Sequence, residues 1–245
     1  MPDSENLAAR KTNPRSSIGV VMLDTQFPRF HGDIGNPDTW PFQVHYKTVP
    51  GAHAKSVVEQ TGAQPLAPFI EAAQELQALG VGAVTTSCGF LMLHQAHIAA
   101  HLTVPFVSSS LMQVPWVQAM LPADQRVGIL TISSQSITPA LLKCAGVKKE
   151  TPIVGTEDGA EFTTAILSDA LTMNQSLCEK DNIAAAQRLM EENGNIGAIV
   201  LECTNMAPYA HAINAATKVP VYSVYTLIRW LQAGLSPATF KPQHL

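Results

Sequence analysis

Short unbroken runs of apolar residues recur along the chain, and segments with helical spacing separate them. The clearest runs are Ile18-Gly19-Val20-Val21-Met22-Leu23, Val81-Gly82-Ala83-Val84, Val127-Gly128-Ile129-Leu130 and Ile196-Gly197-Ala198-Ile199-Val200-Leu201. A run with no polar alternation is the pattern of a strand covered on both faces. Across residues 65–79 the apolar positions Ile70, Ala73, Leu76 and Leu79 return at helical spacing, and Gly80 follows as a stop. Further helices are predicted over 90–101, 111–120 (interrupted by Pro115), 138–144, 161–173, 182–192 and 206–217, with a last one through Ile228 and Leu231. Short strands are predicted at 103–108, 153–154 and 219–223. Residues 26–53 are polar, carry Pro28, Pro37, Pro41 and Pro50, and read as a long loop, a lid or an interface.

Strands alternating with helices predict an α/β fold with parallel sheets and helices on both faces. The chain also repeats itself. Val84-Thr85-Thr86-Ser87-Cys88 and Val200-Leu201-Glu202-Cys203 are both strands that end on a cysteine. Sixteen residues after each cysteine stands a Val-Pro step, Val104-Pro105 and Val219-Pro220. Matched spacing over such a distance points to an internal duplication. The expected organisation is a flexible tail (1–17), a first α/β domain (18–121) that residues 224–245 can complete, and a second α/β domain (122–223). The two would form pseudosymmetric doubly wound halves with a cleft between them.

Composition narrows the function. Apolar residues make up 46% and charged residues 14% of the chain, enough for buried sheets and too few charges for disorder. The net charge of −4, with no basic face, argues against nucleic acid as a partner. No apolar run reaches the roughly 18 residues of a membrane span. The N-terminal segment lacks the apolar core of a secretory signal. Cys88, Cys144, Cys178 and Cys203 are widely spaced. Reduced thiols in a cytoplasmic protein are the expected state.

In parallel sheets, ligands bind beyond the C-terminal ends of the strands. Asp24, Cys88, Thr131 and Cys203 fall at such ends. A thiol at a helix start meets free backbone N–H groups and the positive end of the helix dipole, which favours thiolate. Two opposed thiols suit cofactor-independent inversion of a carbon next to a carboxylate: one removes the proton and the other delivers a proton to the opposite face. Backbone N–H groups would stabilise the enediolate-like charge. Thr25, Thr86, Ser87, Thr204 and Asn205 are candidates to hold a small carboxylate, with Thr131 and Ser133 at the matching strand end of the second half. Asp24 is a candidate substrate contact or a strand-end cap. Glu202 is expected to point to the opposite face from Cys203.

These motifs resemble the aspartate/glutamate racemase superfamily. Glu202-Cys203-Thr204-Asn205 is similar to its second cysteine motif, Cys88 to its first catalytic cysteine, and Leu23-Asp24-Thr25 to its first-strand Asp-Ser motif. The resemblance runs from Ile18 to about Leu235. It implies two pseudosymmetric α/β domains, a cysteine pair acting without cofactor or metal, a small-molecule carboxylate substrate and a homodimer. Two positions depart from the racemase pattern. Gly89-Phe90 stands where those racemases commonly have Asn-Thr, and Asn205 stands where they carry an acid or a histidine. These replacements put a backbone N–H, a ring and an amide at the substrate, and they speak against glutamate itself. Two cysteines also speak against the single-cysteine arylmalonate decarboxylase branch. A two-cysteine cis–trans isomerase and a non-catalytic carboxylate binder share the same features. His94, His97 and His101 share a predicted helix face, a spacing that permits a metal without specifying one.

Overall fold

The structure is a computed structural model that describes residues 16–59 and 65–240. The predicted tail and the final residues 241–245 lie mostly outside that range. The expected α/β class holds, with two four-stranded parallel sheets in the orders β2-β1-β3-β4 and β6-β5-β7-β8. The first half runs β1 (Ile18–Leu23), β2 (Val44–Val49), α1 (Ala54–Glu59), α2 (Ala67–Ala78), β3 (Ala83–Thr86), α3 (Gln95–Ala99), β4 (Phe106–Val107) and α4 (Val114–Met120). The second runs β5 (Arg126–Thr131), α5 (Pro139–Cys144), β6 (Ile153–Gly155), α6 (Phe162–Leu167), α7 (Gln175–Glu192), β7 (Ile196–Leu201), α8 (Ala210–Thr217) and β8 (Val221–Tyr222). The last helix is α9 (Val224–Leu235).

The two halves use one packing device. The first strand of each half carries a glycine, Gly19 in β1 and Gly128 in β5. A Cβ on Gly19 would lie 2.9 Å from Leu76 Cβ, and one on Gly128 would lie 2.6 Å from Leu189 Cδ2. Bare backbone at these points lets α2 and α7 settle directly on their sheets.

Helix α9 covers the other face of the first sheet, where Val224, Leu227, Ile228 and Leu231 join Ile18, Val20 and Met22 in one buried cluster. Ser223 and Thr226 form a capping box at its start. Gln113 anchors that cap, donating to the Ser223 carbonyl at 2.9 Å and accepting from Thr226 Oγ1 at 2.8 Å. A larger core runs through both halves and takes in Cys88, Phe90, Ile129, Ile132, Leu201, Cys203 and Met206.

Several local expectations change. Residues 26–53 are not loop throughout, because β2 pairs in parallel with all of β1. It is an edge strand of Val-His-Tyr-Lys-Thr-Val with partly exposed positions, so it lacks the apolar run of a central strand. The helices predicted to start at each cysteine begin as 3-10 turns, Gly89–His94 and Thr204–Tyr209, before becoming α-helical. Pro115 does not break α4; it stands in the first turn, where no N–H is missed. Helix α6 stops before Asp169, whose φ of 54° is left-handed, and Asn174 caps α7 through a bond from Leu177 N.

Candidate active site

The chain turns sharply after β3 and after β7. Thr86 Oγ1 accepts from the Cys88 amide at 3.2 Å and donates to the Cys88 carbonyl at 2.9 Å. Ser87 Oγ accepts from Leu23 N at 2.9 Å, which ties the cysteine turn to the end of β1. The two cysteine turns are then bolted to each other: Thr204 Oγ1 donates to the Ser87 carbonyl at 2.7 Å. Ser110 Oγ adds a second tie across the halves, donating to the Leu201 carbonyl at 2.5 Å.

Both thiols line one cavity, which is partly open to solvent. Of the residues expected from sequence, Thr25, Ser87, Cys88, Gly89, Phe90, Cys203, Thr204 and Asn205 line it. Asp24, Thr86, Thr131 and Ser133 do not. The Asp24 carboxylate is taken up by the Gly51 amide at 2.9 Å, capping a turn whose φ of 73° requires glycine. Thr86 is consumed by the cysteine turn. Ser133 Oγ pairs with Ser136 Oγ at 2.8 Å. Thr131 acts behind the wall, donating to Glu202 Oε2 at 2.8 Å.

Two charged residues on the wall were not among the expected contacts. Glu202 was expected to face away from Cys203, yet it lines the same cavity. Strand β7 ends at Leu201, so strict alternation no longer applies to the next two residues. A lone carboxylate closing an apolar run was the signal available in the sequence. Arg29 is the second. Its Nη1 donates to Asp33 Oδ1 at 2.9 Å and its Nη2 to Thr25 Oγ1 at 2.8 Å, while its guanidinium lies 4.6 Å from the Phe27 ring centroid. Asp33 is buried and also accepts from Asn205 Nδ2 at 2.6 Å. Asn205 Oδ1 in turn faces Cys203 Sγ at 3.6 Å. Asn205 thus bridges the Arg29–Asp33 pair to the second thiol. Asp169 holds the loop in place from the other half, accepting from Gln26 N at 2.7 Å and Phe27 N at 3.1 Å. The remaining wall is apolar and includes Leu23, Ala54, Val58, Ile132 and Ile166.

The expected low thiol pKa is overturned. Burial pushes the Cys88 thiol up to about 12, and the Glu202 carboxylate pushes the same way; amide donation near Phe90 and Leu91 opposes both without prevailing. Burial also lifts Cys203 well above the ordinary thiol value, with Glu202 next. One 3-10 turn offers few free amides, and desolvation of a wholly buried sulfur outweighs them. Glu202 is itself raised to about 7 by burial, against the bond from Thr131. Both thiols therefore rest protonated.

Among the described residues, no three His, Cys, Asp or Glu side chains are grouped to hold a metal ion. The His97 and His101 rings lie tilted to each other with centroids 5.0 Å apart. Cys178 is buried in α7 and Cys144 is exposed at the end of α5. No helix among the described residues is long and apolar enough to cross a membrane.

No family model matches the chain. Dimethylsulfoniopropionate lyase 6 of Emiliania huxleyi is 30% identical over 247 residues, which cover 96% of this chain and 64% of that protein. The chain thus spans somewhat less than two thirds of that relative. A dimethylsulfoniopropionate lyase of Durusdinium sp. clade D is 30% identical over 219 residues, covering 84% of this chain and 71% of its own length. Dimethylsulfoniopropionate lyase 7 of Emiliania huxleyi is 31% identical over 230 residues, covering 89% and 67%.

Solved structures share the fold. Arylmalonate decarboxylase superposes with a TM-score of 0.57 at 13% identity, covering 93% of this chain and 96% of that one. Allantoin racemase from Klebsiella pneumoniae gives 0.57 at 16%, covering 89% and 86%. Glutamate racemase from Bacillus anthracis gives 0.55 at 16%, covering 90% and 83%.

Proposed function

The chain belongs to the dimethylsulfoniopropionate lyase family and has the fold of the aspartate/glutamate racemases, and on that premise we propose that it is a cofactor-independent carbon–sulfur lyase. The substrate class is a small carboxylate with a sulfonium group on its β-carbon, of which dimethylsulfoniopropionate is the example named by the relatives. The observation that carries the reading is that Cys88 and Cys203 share one cavity with Arg29.

Lyase and racemase chemistry begin alike, with a thiolate removing the proton α to a carboxylate. They part at the next step. A racemase returns a proton to the opposite face. With a sulfonium on the neighbouring carbon, the electron pair of the broken C–H bond forms a C=C bond instead. The C–S bond breaks, and its electron pair leaves on a neutral sulfide. Dimethylsulfoniopropionate would yield acrylate, dimethyl sulfide and one proton. The leaving group is uncharged and needs no protonation, so no cofactor is called for.

The wall supports each need of this chemistry. Arg29, steadied by Asp33 and Thr25, offers a cation for the substrate carboxylate. Charge growing on that carboxylate in the transition state strengthens the contact, the kind of interaction that accelerates a reaction. Phe90 puts an aromatic ring on the wall for the sulfonium methyl groups, while the Phe27 ring already carries the Arg29 guanidinium. The apolar remainder excludes water.

A racemase or epimerase acting on an α-chiral acid is the second reading, favoured by the presence of two thiols on one cavity. Incubation with dimethylsulfoniopropionate, with headspace sulfide and acrylate both quantified, separates the two. The lyase reading expects the products in equal amounts, and their loss in Cys88→Ser and Cys203→Ser. No sulfide, together with cysteine-dependent α-proton exchange in D2O on a panel of chiral acids, would replace it with the racemase reading.

A further inference from the structure

We propose that Glu202 is the internal proton acceptor for the thiol pair, and that Gly89 lacks a side chain in order to seat that carboxylate. The proposal rests on the cysteine reading above and adds the group that turns a resting thiol into a thiolate.

Glu202 is wholly buried, and only one of its carboxyl oxygens is occupied. Oε2 accepts from Thr131, whereas Oε1 has no hydrogen-bond partner among the described residues. A bare buried carboxylate oxygen is costly to keep. Its carboxylate lines the same cavity as the two sulfurs, and its charge bears on both. The titratable groups bearing on this site are Cys88 from the β3 turn, Cys203 from the β7 turn and, acting on Cys203, Asp33.

Gly89 supplies the independent observation. Its φ lies outside the left-handed region, so the backbone does not require glycine. Space does. A Cβ there would overlap Glu202 Oε1, and would lie 2.8 Å from the Glu202 carbonyl oxygen and 3.0 Å from Ser109 Oγ. The glycine directly after the first cysteine and the carboxylate directly before the second are one matched feature. Among the residues expected from the racemase pattern, Asn205 offers no acid to the second thiol; Glu202 supplies one from the position before it.

The protons balance. In the resting site Glu202 is ionised and the thiol carries its hydrogen. The S–H proton moves to the carboxylate and leaves a thiolate. The thiolate then takes the α-proton as the C–S bond breaks. After the products leave, the site holds a thiol and a protonated Glu202, which gives one proton to solvent. Burial holds the carboxyl at about 7, close to where an exchange with solvent at neutral pH is most effective.

The test compares wild type, Glu202→Gln, Glu202→Asp and Gly89→Ala between pH 5.5 and 9. Sulfide release gives kcat and KM, and iodoacetamide alkylation gives the pH dependence of thiol reactivity. Wild-type kcat/KM is expected to rise through a pKa near 7. Glu202→Gln is expected to lose about 100-fold or more in kcat, a typical contribution for such a group, with KM little changed. It also loses the limb near pH 7, and its alkylation midpoint falls because a negative neighbour is gone. Glu202→Asp keeps part of the rate and the limb, and Gly89→Ala displaces the limb. Wild-type kcat and limb in Glu202→Gln, with Cys88→Ser and Cys203→Ser inactive, would overturn the role of Glu202 and leave the cysteines standing. Should wild type turn over no sulfonium substrate, the lyase reading fails by itself. The alkylation curve then decides for Glu202, and a midpoint unmoved by the Gln substitution overturns it.

Discussion

Replacing Glu202 by glutamine should change how stability depends on pH, whatever the protein turns over. The carboxyl is carried from an ordinary 4.5 to about 7 by burial. Each pH unit of displacement is worth about 1.4 kcal/mol, so the ionised form is disfavoured in the fold by roughly 3 kcal/mol. The sign follows from proton counting. Between 4.5 and 7 the folded chain holds a proton on Glu202 that the unfolded chain has released. Stability from this group is therefore complete below pH 4.5 and is lost as pH rises through 7. Of the total, about 2.5 kcal/mol falls between pH 5 and pH 8. Glutamine keeps the shape and cannot ionise, so it lacks this slope. The assay is urea or thermal unfolding of both proteins at pH 5 and pH 8, read as the difference of differences, in which all other titrating groups cancel. The variant should gain about 2.5 kcal/mol on wild type over that interval, roughly 5–10 °C in Tm for a chain of this size. Parallel curves for the two proteins would refute the claim that Glu202 is buried and shifted.

Three further outcomes follow from the geometry. Arg29→Ala should raise KM for a carboxylate substrate by roughly 10- to 100-fold, the range of a lost charged hydrogen bond, while Arg29→Lys should recover part of it; steady-state kinetics on sulfide release decides this. Gly19→Ala should cost about 1–3 kcal/mol in urea unfolding, because the new methyl meets Leu76 Cβ at 2.9 Å in a packed interface. Asp169→Ala should loosen the loop after β1 by removing the acceptor of Gln26 N and Phe27 N. It is read as faster hydrogen exchange at those two amides, whereas Asp169→Asn, which tolerates left-handed φ and keeps an acceptor, should leave exchange near wild type.

Strand positions, their parallel arrangement and the paired cysteine turns were legible in the chain, because an unbroken apolar run reports burial on both faces wherever it lies. So was most of the cavity wall, since Ser87 to Phe90 and Cys203 to Asn205 follow directly from two strand ends. Strand β2 was not, because an edge strand keeps the polar residues that make a segment look like loop. Arg29, Asp33 and Glu202 became site residues only through contacts across the fold. Asp33 meets Asn205 from 172 residues away, and Thr204 meets Ser87 from 117. No local pattern carries such distances. The protonation of the thiols belongs to the same class. A helix start beside a cysteine is local and favours thiolate, but removal of water from both sulfurs is done by the two halves closing together, and that desolvation is the larger force.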